Sequence, residues 1–101
     1  MLKVMNEITI ITTGGCAGCT AQIESTRRAI KDSHIGIKLN IVDFRRLTKK
    51  QIEDYREKRV FLKDFPTTIF AVDNQITFRM CGSTPHTVMT RYIDLYIKGK
   101  K

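Results

Sequence analysis

Two cysteines three residues apart, Cys16 and Cys19, stand in the stretch T-G-G-C-A-G-C, residues 13–19. Such a pair can form half of a zinc site, pack as inert buried thiols, or exchange electrons with another disulfide. Zinc usually takes four ligands; the remaining candidates are Cys81, His34 and His86, without a second C-x-x-C or an H-x-x-x-H. Exchange needs asymmetry, with one exposed, acidic thiol to attack and one sheltered thiol to resolve. The position of the pair supplies it. A β-branched, apolar run before the motif reads as a buried strand, Gly14 and Gly15 break it, and a helical pattern begins at Cys16 or Ala17. A cysteine at a helix start meets free N–H groups and the positive end of the helix dipole, which lower a thiol pKa from its ordinary value of about 8.5. Cys19, a turn further in, shares a face with Ile23, Thr26 and Ile30 and is expected to be buried and poorly reactive. Sulfurs at helix positions i and i+3 are neighbours and can close a disulfide. This context favours dithiol exchange over a metal site or an inert pair.

The elements that must position the pair are legible in outline. Residues 7–13 form the first strand and the helix runs to about Asp32, with Gln22, Glu24, Arg27, Arg28 and Lys31 mostly on its outer faces. Residues 35–44 form a second strand with Ile37, Leu39 and Ile41 pointing one way. Thr48 and Gln51 have capping-box spacing and open a second helix that runs to Lys58, with Ile52 and Tyr55 or Arg56 turned inward. After Phe65-Pro66 come a third strand, residues 67–72, a tight Asp73-Asn74 turn, and a fourth strand, residues 75–81. Ser83 or Thr84 then caps a last helix with Pro85 at its first position and an apolar stripe of Val88, Met89, Tyr92, Ile93 and Tyr96. The order β-α-β-α-β-β-α implies an α/β fold, a four-stranded mixed sheet with helices on both faces.

Composition sets the outer bounds. The chain has 101 residues, the size of a single domain spanning 1–101, with 42% apolar and 28% charged residues. Its first apolar stretch, residues 8–11, is too short to span a bilayer, and nothing at the start reads as a signal peptide. Three cysteines, an odd number, suit a reducing compartment, so the expected location is cytoplasmic. The net charge is +8, from 18 Lys and Arg against 10 Asp and Glu, concentrated in residues 45–63 and the tail 98–101. Within residues 45–63 the basic groups alternate with Glu53, Asp54 and Glu57, as on a solvated helix, and no nucleic-acid motif is legible.

With the dithiol and the element order in place, the chain from Glu7 to about Lys98 resembles the thioredoxin superfamily, and within it the small Trp-less thioredoxin-like or glutaredoxin-like members with motifs such as C-A-x-C. C-A-G-C matches the active-site motif, Phe65-Pro66-Thr67 looks like the cis-proline segment, and the run from Pro66 to Gly82 has the spacing of the closing hairpin. The resemblance implies a thioredoxin-like fold and a thiol–disulfide oxidoreductase. Cys16 attacks, Cys19 resolves, and Phe65, Pro66, Thr67 and Gly82 border the substrate groove. It implies no bound cofactor, disulfide-containing proteins as substrates, and an electron donor of the thioredoxin-reductase type. A monomer is the default, with no membrane and no nucleic-acid partner. Thioredoxins usually carry Trp before the first cysteine, Gly-Pro between the two and a buried aspartate on the first strand. Here Gly14-Gly15, Ala17-Gly18 and Ile10 take those places, so the proton of Cys19 moves through water or Lys38, or moves slowly. Glutaredoxins use Thr-Val-Pro and Gly-Gly-Asp elements to bind glutathione; Asp64-Phe65-Pro66 and residues 81–84 do not match them, so glutathione ranks second. A thioredoxin-fold binding module that presents its basic surface to an acidic partner is the remaining alternative.

Cys81 is read first as a small buried hydrophobe and second as a redox modulator within reach of Cys16. His34 and His86 have no evident partner. Gly14, Gly15 and Gly18 are read together, as lowering steric hindrance around Cys16 at the expense of rigidity.

Overall fold

The computed structural model describes residues 5–100, so Lys101 of the basic tail lies outside the described residues. The elements are β1 (Asn6–Thr12), α1 (Ala17–Ser33), β2 (Lys38–Asp43), α2 (Lys49–Glu57), β3 (Thr67–Val72), β4 (Gln75–Cys81) and α3 (His86–Tyr96). Short 3₁₀ turns cover Phe44–Arg46 and Lys98–Lys100. The four strands form one sheet in the order β2-β1-β3-β4, with β1 parallel to β2 and antiparallel to β3, and β3 antiparallel to β4. This is the mixed α/β sheet that the pattern of the sequence implies.

Alternating side-chain direction along the central strands builds a core on each side. Ile8 and Ile10 of β1 join Phe70 and Val72 of β3 beneath Ala29 of α1 and Met89 and Ile93 of α3. Ile11 and Ile69 point the other way and pack with Val60, flanked by Val42, Phe65 and Tyr55 of α2. The two central strands thus have apolar packing on both sides, with Glu7 and Thr9 of β1 left half-buried. The turn between β3 and β4 places Asp73 and Asn74 at φ of 50° and 67°, a left-handed pair that both residue types tolerate. At α2 the Thr48 hydroxyl accepts from the Gln51 amide at 3.1 Å, and the Gln51 side chain accepts from the Thr48 amide at 2.8 Å. Tyr55, not Arg56, is the inward residue of that helix.

Four expectations are corrected. The buried stripe of α1 is Cys19, Gln22, Thr26, Ala29 and Ser33, so Gln22 is a core residue, whereas Ile23 and Ile30 flank that stripe half-buried. The second strand is shorter than residues 35–44, and Ile41 is 44% exposed, because β2 is an edge strand and Ile41 lies outside both apolar clusters. Neither Ser83 nor Thr84 caps the last helix. The N-cap is Pro85, whose ring offers no acceptor, so the helix begins at His86 with no side-chain cap and Pro85 stands one place before its first position. Lys38 opposes Glu7 at the far end of the β1–β2 ladder from Thr12 and Asp43, about 17 Å away at roughly 3.3 Å per residue. It cannot serve as a proton carrier for the dithiol.

The contrast between core and edge has a direct test. Ile93→Ala is expected to cost about 2–5 kcal/mol of unfolding free energy. Ile41→Ala on the exposed edge should change it by less than about 0.5 kcal/mol. Urea-unfolding midpoints of the two variants check both.

Candidate active site

Cys16 is the N-cap of α1, with extended backbone at φ −99° and ψ 98°, and its Sγ accepts the amide of Cys19 at 3.1 Å. The first turn of α1 contains no acidic residue, so the positive end of the helix dipole acts on that sulfur uncompensated. Cys19 is 5% exposed and Cys16 half-buried, so the pair has one accessible and one sheltered sulfur. The two are joined as a disulfide with Cα atoms 5.3 Å apart. The link sits at the head of α1 because Gly15, at φ +69°, turns the chain from the end of β1 into the helix, a conformation that favours glycine.

The Phe65–Pro66 peptide bond is cis, and β3, which follows it, is an interior strand. A methyl group placed on Gly18 would lie 3.6 Å from Pro66 Cδ and 4.0 Å from Ser83 Cβ, which puts the proline and the segment after Gly82 directly against the C-x-x-C turn. Gly82, at φ +88°, donates its amide to the Pro66 carbonyl at 2.9 Å. Thr67 is buried, its hydroxyl donating to the Asp64 carbonyl at 2.8 Å. The ring of Phe65 is half-buried in the α2-side cluster, 5.1 Å from Phe44. The fold thus gathers Cys16, Cys19, Pro66 and Gly82 and turns the Phe65 ring toward the core behind them.

Gln22 is what holds this cluster in register. It is fully buried, its amide nitrogen donating to Thr68 Oγ1 at 2.9 Å and to Met89 Sδ at 3.5 Å, and its oxygen accepting the Thr84 amide at 2.8 Å. One side chain thereby binds the dithiol helix to the residues two places beyond Pro66 and two beyond Gly82. Sequence reading missed it because an isolated glutamine carries no apolar signal. Its spacing of three from Cys19 was the available clue.

Arg45 is the second missed residue. The open cavity at the dithiol, about 530 Å³, is lined by Gly14, Gly15, Cys16, Cys19 and Arg45 among others. Arg45 reaches it because Asp43, paired with Thr12 at the end of β2, holds the guanidinium from one side. Asp43 Oδ1 accepts from Nε at 3.1 Å and Oδ2 accepts from Nη2 at 2.7 Å, while Oδ1 also accepts the Arg45 amide at 2.9 Å. These bonds, with the charges of Arg45 and Arg46, lower the Asp43 carboxyl from 3.8 to about 2.

Cys81 corrects another expectation: it is exposed, not a buried hydrophobe. It ends the edge strand β4 and opens into a separate cavity of about 290 Å³ with Arg59, Phe61, Lys63, Asp64 and Arg79. Its Sγ lies 3.8 Å from Thr67 Oγ1. The two cavities share no lining residue, so this arrangement gives no support to a bond between Cys81 and Cys16. His34 ends α1 in a left-handed conformation and His86 begins α3, neither of them lining the dithiol cavity. Among the described residues no group of three or more His, Cys, Asp and Glu converges as a metal site.

By sequence, no family model matches the chain and no curated protein is detectably similar to it. By structure it is similar to thioredoxins. Thioredoxin-2 of the malaria parasite, a component of its protein secretion machinery, superposes with a TM-score of 0.73 and 18% identity, over 94% of this chain and 86% of that one. Thioredoxin from Aeropyrum pernix gives 0.66 and 15%, over 90% and 74%. Mitochondrial thioredoxin 3 from Saccharomyces cerevisiae, in its oxidized form, gives 0.64 and 13%, over 88% and 77%. The chain has the thioredoxin fold, as its motif order implies.

Two outcomes follow from these contacts. Gln22→Leu leaves the Thr84 amide and Thr68 hydroxyl without their partner and is expected to cost about 1–3 kcal/mol, measured by denaturant unfolding. The Asp43 carboxyl should titrate near 2, and Arg45→Gln should return it toward 3.8, read by NMR of the carboxyl carbon. Because the folded value is the lower one, any stability linked to this group is complete above about pH 4 and is lost as pH falls toward about 2.

Proposed function

We propose that the protein is a thiol–disulfide oxidoreductase whose reduced Cys16–Cys19 pair cleaves disulfides in protein substrates. The observation that carries this reading is the asymmetry of the pair: a helix-capping, accessible Cys16 sulfur that accepts a backbone N–H, beside a buried Cys19. Thiols at such a helix start are the ones held as thiolates near neutral pH. The thiolate of Cys16 attacks one sulfur of the substrate disulfide, forming a Cys16–substrate bond and expelling the other substrate sulfur as a thiolate. Cys19 loses its proton to water and attacks the Cys16 sulfur, which expels the second substrate thiolate. Two electrons pass to the substrate, and the Cys16–Cys19 disulfide remains.

In this reading Pro66, Thr67 and Gly82 border the bound substrate, with Phe65 supporting them from the core side. A dithiol donor of the thioredoxin-reductase type returns the pair to its reduced state, and a reducing, cytoplasmic setting fits that cycle. No resident cofactor is required, and glutathione stays the weaker substrate candidate because its recognition elements are absent from residues 64–66 and 81–84.

The test is reduction of a model protein disulfide with dithiothreitol as donor. Wild-type protein is expected to accelerate it, Cys16→Ser to remove the acceleration, and Cys19→Ser to accumulate mixed disulfides on Cys16 detectable by mass. A wild-type rate no higher than that of the double Cys→Ser variant would overturn the proposal. A salt-sensitive complex with an acidic protein that survives in the double variant would favour the binding-module alternative.

A further inference from the structure

The dithiol cavity has a charge on its wall that exchange chemistry by itself does not need. Arg45 is the one charged side chain among the described residues lining it; the rest are Thr, Gly, Cys, Ala and Ile. The guanidinium is not swinging freely in solvent, since Asp43 grips its Nε and Nη2 edge. That side-on pairing leaves the end-on edge, Nη1 with the second hydrogen of Nη2, without an acceptor among the described residues. The Arg45 side chain is 65% exposed. Its flat face lies against the dithiol loop: a methyl group on Gly14 would lie 2.6 Å from Nη1, 3.1 Å from Cζ and 3.6 Å from Nε, above the plane of the group. Gly14 has no left-handed φ, and a side chain there would push the guanidinium aside.

We propose that Arg45 is a specificity-determining residue, docking a carboxylate that flanks the disulfide of a peptide or protein substrate as Cys16 engages it. This rests on the oxidoreductase reading above. An end-on guanidinium edge matches a carboxylate in a two-point, charge-assisted arrangement, and a lysine at the same place would offer only a point charge. Because Asp43 balances the formal charge, selection works at contact range. An acidic residue seated beside the dithiol gains the two hydrogen bonds, and a basic one meets the guanidinium with like charge. Asp43 is a positioning residue in this scheme, fixing the direction of the free edge.

The experiment compares kcat/KM for three peptides carrying the same disulfide flanked by Asp, Gln or Lys, with dithiothreitol as donor. Wild-type protein is expected to prefer the Asp peptide, and Arg45→Gln to lower the Asp-to-Lys ratio about tenfold, chiefly through KM. Arg45→Lys should restore part of the ratio, and high salt should compress it in the wild type. Gly14→Ala, which drives the guanidinium aside without removing its charge, should lower the same ratio and guards against a folding defect peculiar to Arg45 variants. A wild-type ratio of one, or a ratio unmoved by Arg45→Gln, overturns the proposal. So does an equal fall on all three peptides with a changed dithiol potential, which would make Arg45 a regulator of Cys16. If Arg45→Gln weakens turnover of oxidised glutathione but not of the Asp peptide, docking on a peptide carboxylate is overturned. Failure of the underlying reading looks different: none of the peptides, the Gln one included, is reduced faster than by the double Cys→Ser variant.

Discussion

The site depends on a buried amide that has no role in the chemistry. Gln22 lies under the first turns of α1 and satisfies its hydrogen-bonding groups against β3, α3 and the segment entering α3. A hydrogen bond of this kind has a modest net value, about 1 kcal/mol, but a buried polar group left unpaired costs more than that. The consequence is a constraint on position. If α1 slid along the sheet or the Gly82–Thr84 segment moved outward, the Gln22 amide and the Thr84 N–H would both lose their partners in a dry environment. The Gly82 amide on the Pro66 carbonyl closes the arrangement from the opposite side. Cys16, Pro66 and Gly82, far apart in sequence, are thereby held together by backbone geometry, and the sulfurs themselves need contribute little.

The glycines around the pair have separate causes. Gly15 answers a backbone requirement, its φ of +69°. Gly14 answers a steric one, since a side chain there would displace the guanidinium of Arg45. Gly18 answers neither, because a methyl group would make ordinary van der Waals contact with Pro66 and Ser83. Gly15 fixes a turn, and Gly14 leaves room for the guanidinium.

What the sequence made legible was whatever depends on neighbours in the chain. The capping box at Thr48 and Gln51, the Asp73-Asn74 turn, the strand–glycine–helix frame of the dithiol and the element order all come from local periodicity and residue chemistry. What it hid depends on pairing between strands and on depth. The register that sets Asp43 opposite Thr12 brings the end of β2, and with it Arg45, to the active-site loop; along the chain Arg45 looks like the first of many solvated cations. Cys81 misled for the same reason. Its residue type argues for burial, but it ends an edge strand beside the irregular stretch Arg59–Lys63, which leaves its sulfur open. An apolar stripe through Ile23 and Ile30 turns Gln22 outward on the sequence pattern, although the buried stripe lies one residue to the side.

The departures from the usual thioredoxin motif then become connected. Gly15 stands where thioredoxins usually carry Trp. Gly15 in that place leaves the cavity open, and Gly14 next to it makes room for a cation anchored from another strand. In the proposed docking role Asp43 lowers the cost of binding, since an unanchored arginine would lose side-chain freedom of about 2 kcal/mol on binding, whereas this one is already oriented by its carboxylate. The wall beside the Cys16–Cys19 pair thus carries a guanidinium whose direction is set by its own carboxylate partner.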